Sequence, residues 1–154
     1  IADAGLDASI CKNDSTQLNG AGGISFSWAP AASLNNSGIA NPNSYPQSTT
    51  TYTLVVTDAN GCTDNDAVTV TVNSLPNANA GPDQDICINF TTQLIATGGV
   101  GYSWNPGSTL SDSLIANPIA SPLTSTTYSV IVTGANGCKA SDDMTVTIHN
   151  NPII

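Results

Sequence analysis

The stretch YTLVVTDANGC, residues 52–62, returns 76 positions later as YSVIVTGANGC, residues 128–138. Its first half alternates. Tyr52, Leu54 and Val56 fall on one face, with Thr51, Thr53 and Thr57 on the other, and Tyr128, Val130 and Val132 repeat the apolar face in register. A period of two marks a strand with one buried and one wetted side. Asn60-Gly61 and Asn136-Gly137 then give the strongest short signal for a tight hairpin turn, since both residue types tolerate positive φ. Beyond the turn, Val68, Val70 and Val72 alternate with Thr69 and Thr71, answered by Met144, Val146 and Ile148. The stretch reads as a hairpin, and it occurs twice.

Working outward, Phe26 and Trp28 with Ser25 and Ser27 opposite mark another strand, repeated by Tyr102 and Trp104. Strands near 10 and 16–20, with short pieces around 39–45, bring each copy to about seven. No stretch keeps helical periodicity for three turns. The fold class predicted from the alternation is all-β: two tandem two-sheet sandwiches of about seven strands each. Trp28, Tyr52, Trp104 and Tyr128 are assigned to the core by the alternation. A sugar platform is the other role open to the two tryptophans.

Sliding the chain by 76 lays residues 1–76 over 77–152 without a gap, and 36 of the 76 pairs are identical. Chance does not give that, so two copies of one unit are present. The expected domains are 1–75 and 76–154, with a linker at about 73–77. The tail HNNPII resembles the linker NSLPNA, which predicts a longer array continuing past this chain.

The 154 residues carry 11 acids and two lysines, Lys12 and Lys139, for a net charge of -9. A nucleic-acid binder needs a positive field, so that class is excluded, and an acidic membrane surface is an equally poor partner. No stretch is apolar and long enough to insert into a membrane.

Four cysteines allow three pairings. Cys11 with Cys62 and Cys87 with Cys138 share a spacing of 51 and keep each unit self-contained, so one disulfide per domain is expected. The alternatives tie one unit to the next or give equivalent residues different jobs. Free thiols are the remaining reading; disulfides imply an oxidising compartment or the cell exterior. The cysteines lack the short-spaced pairs of a zinc site.

Among the acids, only Asp7/Asp83 and Asp66/Asp142 are retained in register. Two readings stand: a solvated acidic surface, or structural calcium held by these four carboxylates and turn carbonyls. No other cofactor is expected. Catalysis finds no support, because the single histidine, His149, has Asn73 as its equivalent. A Ser-His-Asp arrangement needs more than that.

AGPDQDIC at 80–87, GGVGYSWNPG at 98–107, LIANPIASPLTSTTYSVIVTGANGC at 114–138 and TVTI at 145–148 carry a resemblance. With AGLDASIC at 4–11 in the first unit, they resemble the PKD-like or immunoglobulin-like repeats of giant Bacteroidetes cell-surface proteins, including gliding-motility adhesins. The resemblance covers essentially the whole chain. It implies a seven-stranded sandwich, export by the type IX route, a place on the bacterial cell surface, and a stalk or filament role. Its WxP element matches Trp28 with Pro30 and Trp104 with Pro106. Its DxNGC element matches Asp58 to Cys62, while the second unit departs with Gly134.

The function expected is therefore a structural spacer, with neighbouring repeats of the same chain as partners. The alternatives are a module binding a surface glycan or protein, or an accessory domain of a secreted hydrolase. Adhesion predicts exposed aromatics on loops, and the candidates are Tyr45 and Phe90, whose equivalents are Ser121 and Asp14.

Overall fold

The computed structural model describes residues 1–150. It divides into two compact units, Ile1–Ser74 and Leu75–Ile154. The first holds strands β1 (Ala8–Cys11), β2 (Thr16–Gln17), β3 (Ser25–Ala29), β4 (Asn43–Ser44), β5 (Thr50–Thr57) and β6 (Thr63–Asn73). The second holds β7 (Gln84–Cys87), β8 (Thr92–Gln93), β9 (Gly101–Asn105), β10 (Ile119–Ala120), β11 (Thr126–Thr133) and β12 (Lys139–His149). There is no helix among the described residues.

Each unit builds one four-stranded and one two-stranded sheet, in the orders β1-β6-β5-β3 with β2-β4, and β7-β12-β11-β9 with β8-β10. The hairpin read from the sequence is the centre of the larger sheet, where Tyr52 faces Val68 and Thr57 faces Thr63. The short first strand runs parallel to the last one, from Ala8 beside Val70 to Cys11 beside Asn73. In the second unit Gln84 lies beside Val146 and Cys87 beside His149.

Among the described residues six strands form per unit, where about seven were expected. The segment before β1 makes only the isolated bridge Asp3–Ala21, and its counterpart makes Asn79–Thr97. Its amides go elsewhere. Ala2 and Ala4 donate their backbone N–H to the side chains of Asp64 and Asp66, both at 2.8 Å. Carboxylates on β6 thus take the place of a neighbouring strand's carbonyls.

The alternation decides the core. Tyr52, Leu54, Val56, Val68 and Val70 are buried with Leu18, Trp28 and Leu34. Tyr128, Val130, Val132, Met144 and Val146 are buried with Leu94 and Trp104. The opposite face is wetted and tied by threonine pairs, Thr51 with Thr69 and Thr127 with Thr145, their hydroxyls 2.9 and 3.0 Å apart. Such cross-strand pairs are the unit of sheet stabilisation.

The turn differs from the expectation in detail. Only Gly61 and Gly137 take positive φ, at 82° and 81°, and Asn60 and Asn136 do not. Gly61 donates to the Asp58 carbonyl, and Asp58 N–H to the Cys62 carbonyl, so five residues connect the strands. This is a type I turn closed by a left-handed glycine, a common longer hairpin loop. Nothing lies within 4 Å of where a Cβ on either glycine would sit, so the requirement is one of backbone alone.

Candidate functional site

The disulfide expectation is corrected. Cys62 and Cys87 are free and exposed, while Cys11 and Cys138 are disulfide-bonded. Neither within-unit bridge forms, and the register gives the reason. Cys11 sits opposite Asn73 at the far end of β6, and Cys62 precedes its first residue, Thr63. Eleven steps of strand at roughly 3.3 Å each put them about 36 Å apart. A disulfide tolerates a Cα separation of about 7 Å at most. Cys87 and Cys138 are held apart in the same way, because Cys87 lies beside His149 and Cys138 precedes Lys139. Equal spacing in sequence suggested a staple, but the two cysteines mark opposite ends of one sandwich.

Both ends are built to hold a cysteine. At the first-strand end, Lys12 N–H bonds the Asn73 carbonyl at 2.9 Å, and Ile88 N–H bonds His149 likewise. The chain then reverses: Asp14 N–H reaches the Cys11 carbonyl at 3.0 Å and Phe90 N–H reaches Cys87 at 3.1 Å. Asn13 and Asn89, at φ 75° and 70°, supply the left-handed residue that such a turn requires. Across the β1–β6 ladder, Asn73 Nδ2 donates to Ser9 Oγ at 2.8 Å. The matching pair in the second unit is His149 Nε2 and Asp85 Oδ1, at 2.7 Å.

At the hairpin end, Asp58 Oδ1 accepts from Asn60 N–H and Cys62 N–H, at 2.8 and 2.9 Å. The second unit has Gly134 there, and Asn136 Oδ1 accepts the Cys138 N–H instead, at 3.1 Å. The motif tolerates loss of the acid because a neighbouring amide takes over its acceptor role. Cys62 also lines an open hollow of about 200 Å³ with Ile1, Gly22, Val56, Asp58, Thr63 and Asp64.

The retained aspartates have a structural use that the sequence reading missed. Asp66 and Asp142 accept the amides of Ala4 and Ala80, at 2.8 and 2.9 Å. Asp7 and Asp83 accept those of Thr69 and Thr145, both at 2.8 Å. All four bonds span 62 positions, which was the available signal: in-register acids at one fixed separation from a partner strand. The Ala2 amide, and after it that of Asn65, holds the Asp64 carboxyl below its ordinary value. The amides of Ala4 and Ala67 do the same to Asp66. No three His, Cys, Asp or Glu side chains gather in a metal-holding group among the described residues. The calcium candidates Asp7, Asp66, Asp83 and Asp142 are thus placed as clamps on backbone amides, a poor fit to an ion that wants six or more oxygens.

The four aromatics assigned to the core, Trp28, Tyr52, Trp104 and Tyr128, are buried. Trp28 Nε1 donates to the Ile39 carbonyl and Trp104 Nε1 to that of Ile115, each at 3.1 Å. Tyr52 pairs its hydroxyl with Ser33 at 2.5 Å, and Tyr128 pairs with Thr109 at 2.6 Å. The repeated IANP has its use here too. After Ile39 serves the tryptophan, Ala40 and Pro42 carbonyls accept from Gly20 and Leu18, and Ala116 and Pro118 accept from Ala96 and Leu94. Tyr45 and Phe90, the candidate adhesive aromatics, are exposed.

No protein-family model matches the chain. No curated protein sequence matches it. Solved structures do. Titin domains I67–I69, as an E-to-A mutated variant, match at 14% identity and a TM-score of 0.45, covering 99% of this chain and 66% of that one. Extracellular domains 3–5 of Drosophila OTK match at 9% identity and a TM-score of 0.49, covering 94% and 59%. The insect immune protein hemolin matches at 15% identity and a TM-score of 0.46, covering 96% and 46%. The chain thus spans less than two thirds of the length of each.

The fold is immunoglobulin-like. Its own topology carries that statement: in each unit the first strand lies parallel on the last, the larger sheet continues through β5 and β3 or β11 and β9, and a buried tryptophan stands on β3 or β9. A core tryptophan on that strand is a hallmark of the immunoglobulin sandwich.

Proposed function

We propose that the chain is a run of structural spacer repeats from a large secreted surface protein, holding other regions away from the cell. The observation that carries this reading is what the two units keep in common. The retained residues build the frame: Trp28/Trp104, Tyr52/Tyr128, IANP, the clamping Asp7/Asp83 and Asp66/Asp142, the turn glycines and the cysteines. The exposed aromatics are not kept, since Tyr45 answers to Ser121 and Phe90 to Asp14. Repetition that preserves a frame and varies its surface fits an element whose job is length and stiffness. A Pro-containing linker at 73–77 between repeats 1–75 and 76–154 belongs to the same reading. The acidic, threonine-rich faces would keep neighbouring rods soluble and apart. The sequence resemblance narrows the setting to a Bacteroidetes surface adhesin exported by the type IX route.

Stretching one molecule by its ends tests this. After reduction, two equal unfolding steps are expected, one per unit. Unequal or non-cooperative steps after reduction would count against a mechanical repeat.

A further inference from the structure

Each of the repeat's two cysteine positions occurs twice, and at each position one copy is disulfide-bonded while the other is free. Cys11 is bonded and its counterpart Cys87 is free and exposed. Cys138 is bonded and buried, and its counterpart Cys62 is free and exposed. We propose that Cys62 and Cys87 are the open halves of a disulfide ladder that continues through flanking copies of this repeat. In it Cys87 bonds the turn cysteine of a following repeat, and Cys62 bonds the first-strand cysteine of a preceding one. The inference rests on the array reading above.

Three observations within single units give the ladder its direction. The two cysteine positions lie at opposite ends of the sandwich, so no unit can close its own bridge. The last strand ends beside the first-strand cysteine: β6 ends at Asn73, opposite Cys11, and β12 ends at His149, opposite Cys87. The entering linker lies at the other end, where Pro76 sits 3.5 Å from the Cβ position of Gly134 in the turn that carries Cys138. A chain that leaves at one cysteine and enters at the other offers each following repeat's turn cysteine to the first-strand cysteine before it. A short linker keeps that pair at high effective concentration. Cys62 is exposed at the edge of an open hollow, so its thiol is accessible to a partner's cysteine.

The chemistry is thiol–disulfide exchange. One thiolate attacks a disulfide oxidant, here oxidised glutathione, and releases one glutathione thiol. The second cysteine's thiolate attacks the mixed disulfide and releases the other. The two cysteines lose two electrons and two protons, and the glutathione disulfide gains both.

The test appends a third unit, a copy of residues 77–152, after residue 152, and folds the chain in a glutathione redox buffer. Alkylation without reduction, followed by peptide mapping, should find two free thiols, as in the present chain. They would be Cys62 and the appended copy of Cys87, with Cys87 itself bonded to the appended copy of Cys138. Four free thiols, or any bridge inside one unit, would overturn the ladder while leaving the spacer reading to the stretching experiment. A second measurement needs no added unit. Equimolar C62S and C87S variants of the present chain, mixed at high concentration in the same buffer, should give the Cys87–Cys62 heterodimer in several-fold excess over either homodimer. A twofold excess, which is the yield of random pairing, or anything less would also overturn it.

Discussion

Asp66 accepts the backbone N–H of Ala4 at 2.8 Å across 62 positions of sequence, and its carboxyl is held below its ordinary value by that bond first. Asp64 does the same for Ala2. Together they dock the segment that would otherwise be a frayed strand. Replacing both with alanine should loosen it and lower the melting temperature by a few degrees, the scale of one or two lost charge-assisted bonds in a small domain. Asp142→Ala should act likewise on the second unit.

The same bonds set an acid limit. A carboxyl lowered on folding contributes stability that is present above its unfolded value and lost as pH falls through its folded value. For Asp64 and Asp66 that window lies below the ordinary aspartate value of about 3.9. Melts recorded between pH 5 and pH 2 should therefore show stability falling, and the Asp64→Ala, Asp66→Ala double variant should fall less steeply. Parallel curves would sink this account.

Two glycines separate backbone strain from steric conflict. Gly98 has φ 105°, and a Cβ there would meet the Asn77 carbonyl oxygen at 1.9 Å; Gly22 repeats the arrangement against Ile1 at 2.0 Å. Gly137 has φ 81° and open space around its Cβ position. Gly137→Ala should cost about 1–2 kcal/mol, the left-handed penalty alone. Gly98→Ala must also displace the segment docked on it, so it should cost clearly more in denaturant titration.

The buried tyrosines carry a separable polar contribution. Tyr52→Phe and Tyr128→Phe leave the ring and remove the hydroxyl bond to Ser33 or Thr109. Each should cost about 1 kcal/mol. Trp28→Ala, by contrast, removes a whole buried ring and should cost about 3–5 kcal/mol, enough to unfold a unit of this size.

Calcium is expected to do nothing to stability. The four in-register carboxylates each bind a backbone amide, so melting in EDTA and in excess calcium should coincide. A rise of several degrees with calcium would show that an ion competes successfully with those amides.

Much of this was legible in the chain. Alternation in YTLVVT and TVTV placed β5 and β6 and their buried faces, because a strand's side chains have a strict period of two. The 76-residue repeat doubled every such signal, and burial of Trp28 and Tyr52 follows from the same periodicity. The repeat also flagged Asp7, Asp66 and IANP as important without saying why. Their partners, Thr69, Ala4 and Trp28, are backbone amides or an indole N–H on other segments, and such groups leave no pattern in sequence.

The cysteines divide what the two levels determine. The sequence by itself determined a twice-repeated all-β chain with two cysteine positions in each copy, since spacing and alternation are local properties. Only the tertiary structure decided which cysteines bond. The parallel register of β1 on β6 puts Cys11 beside Asn73, a full strand length from Cys62. Equal spacing along the chain says nothing about distance once an 11-residue strand lies extended between the two ends.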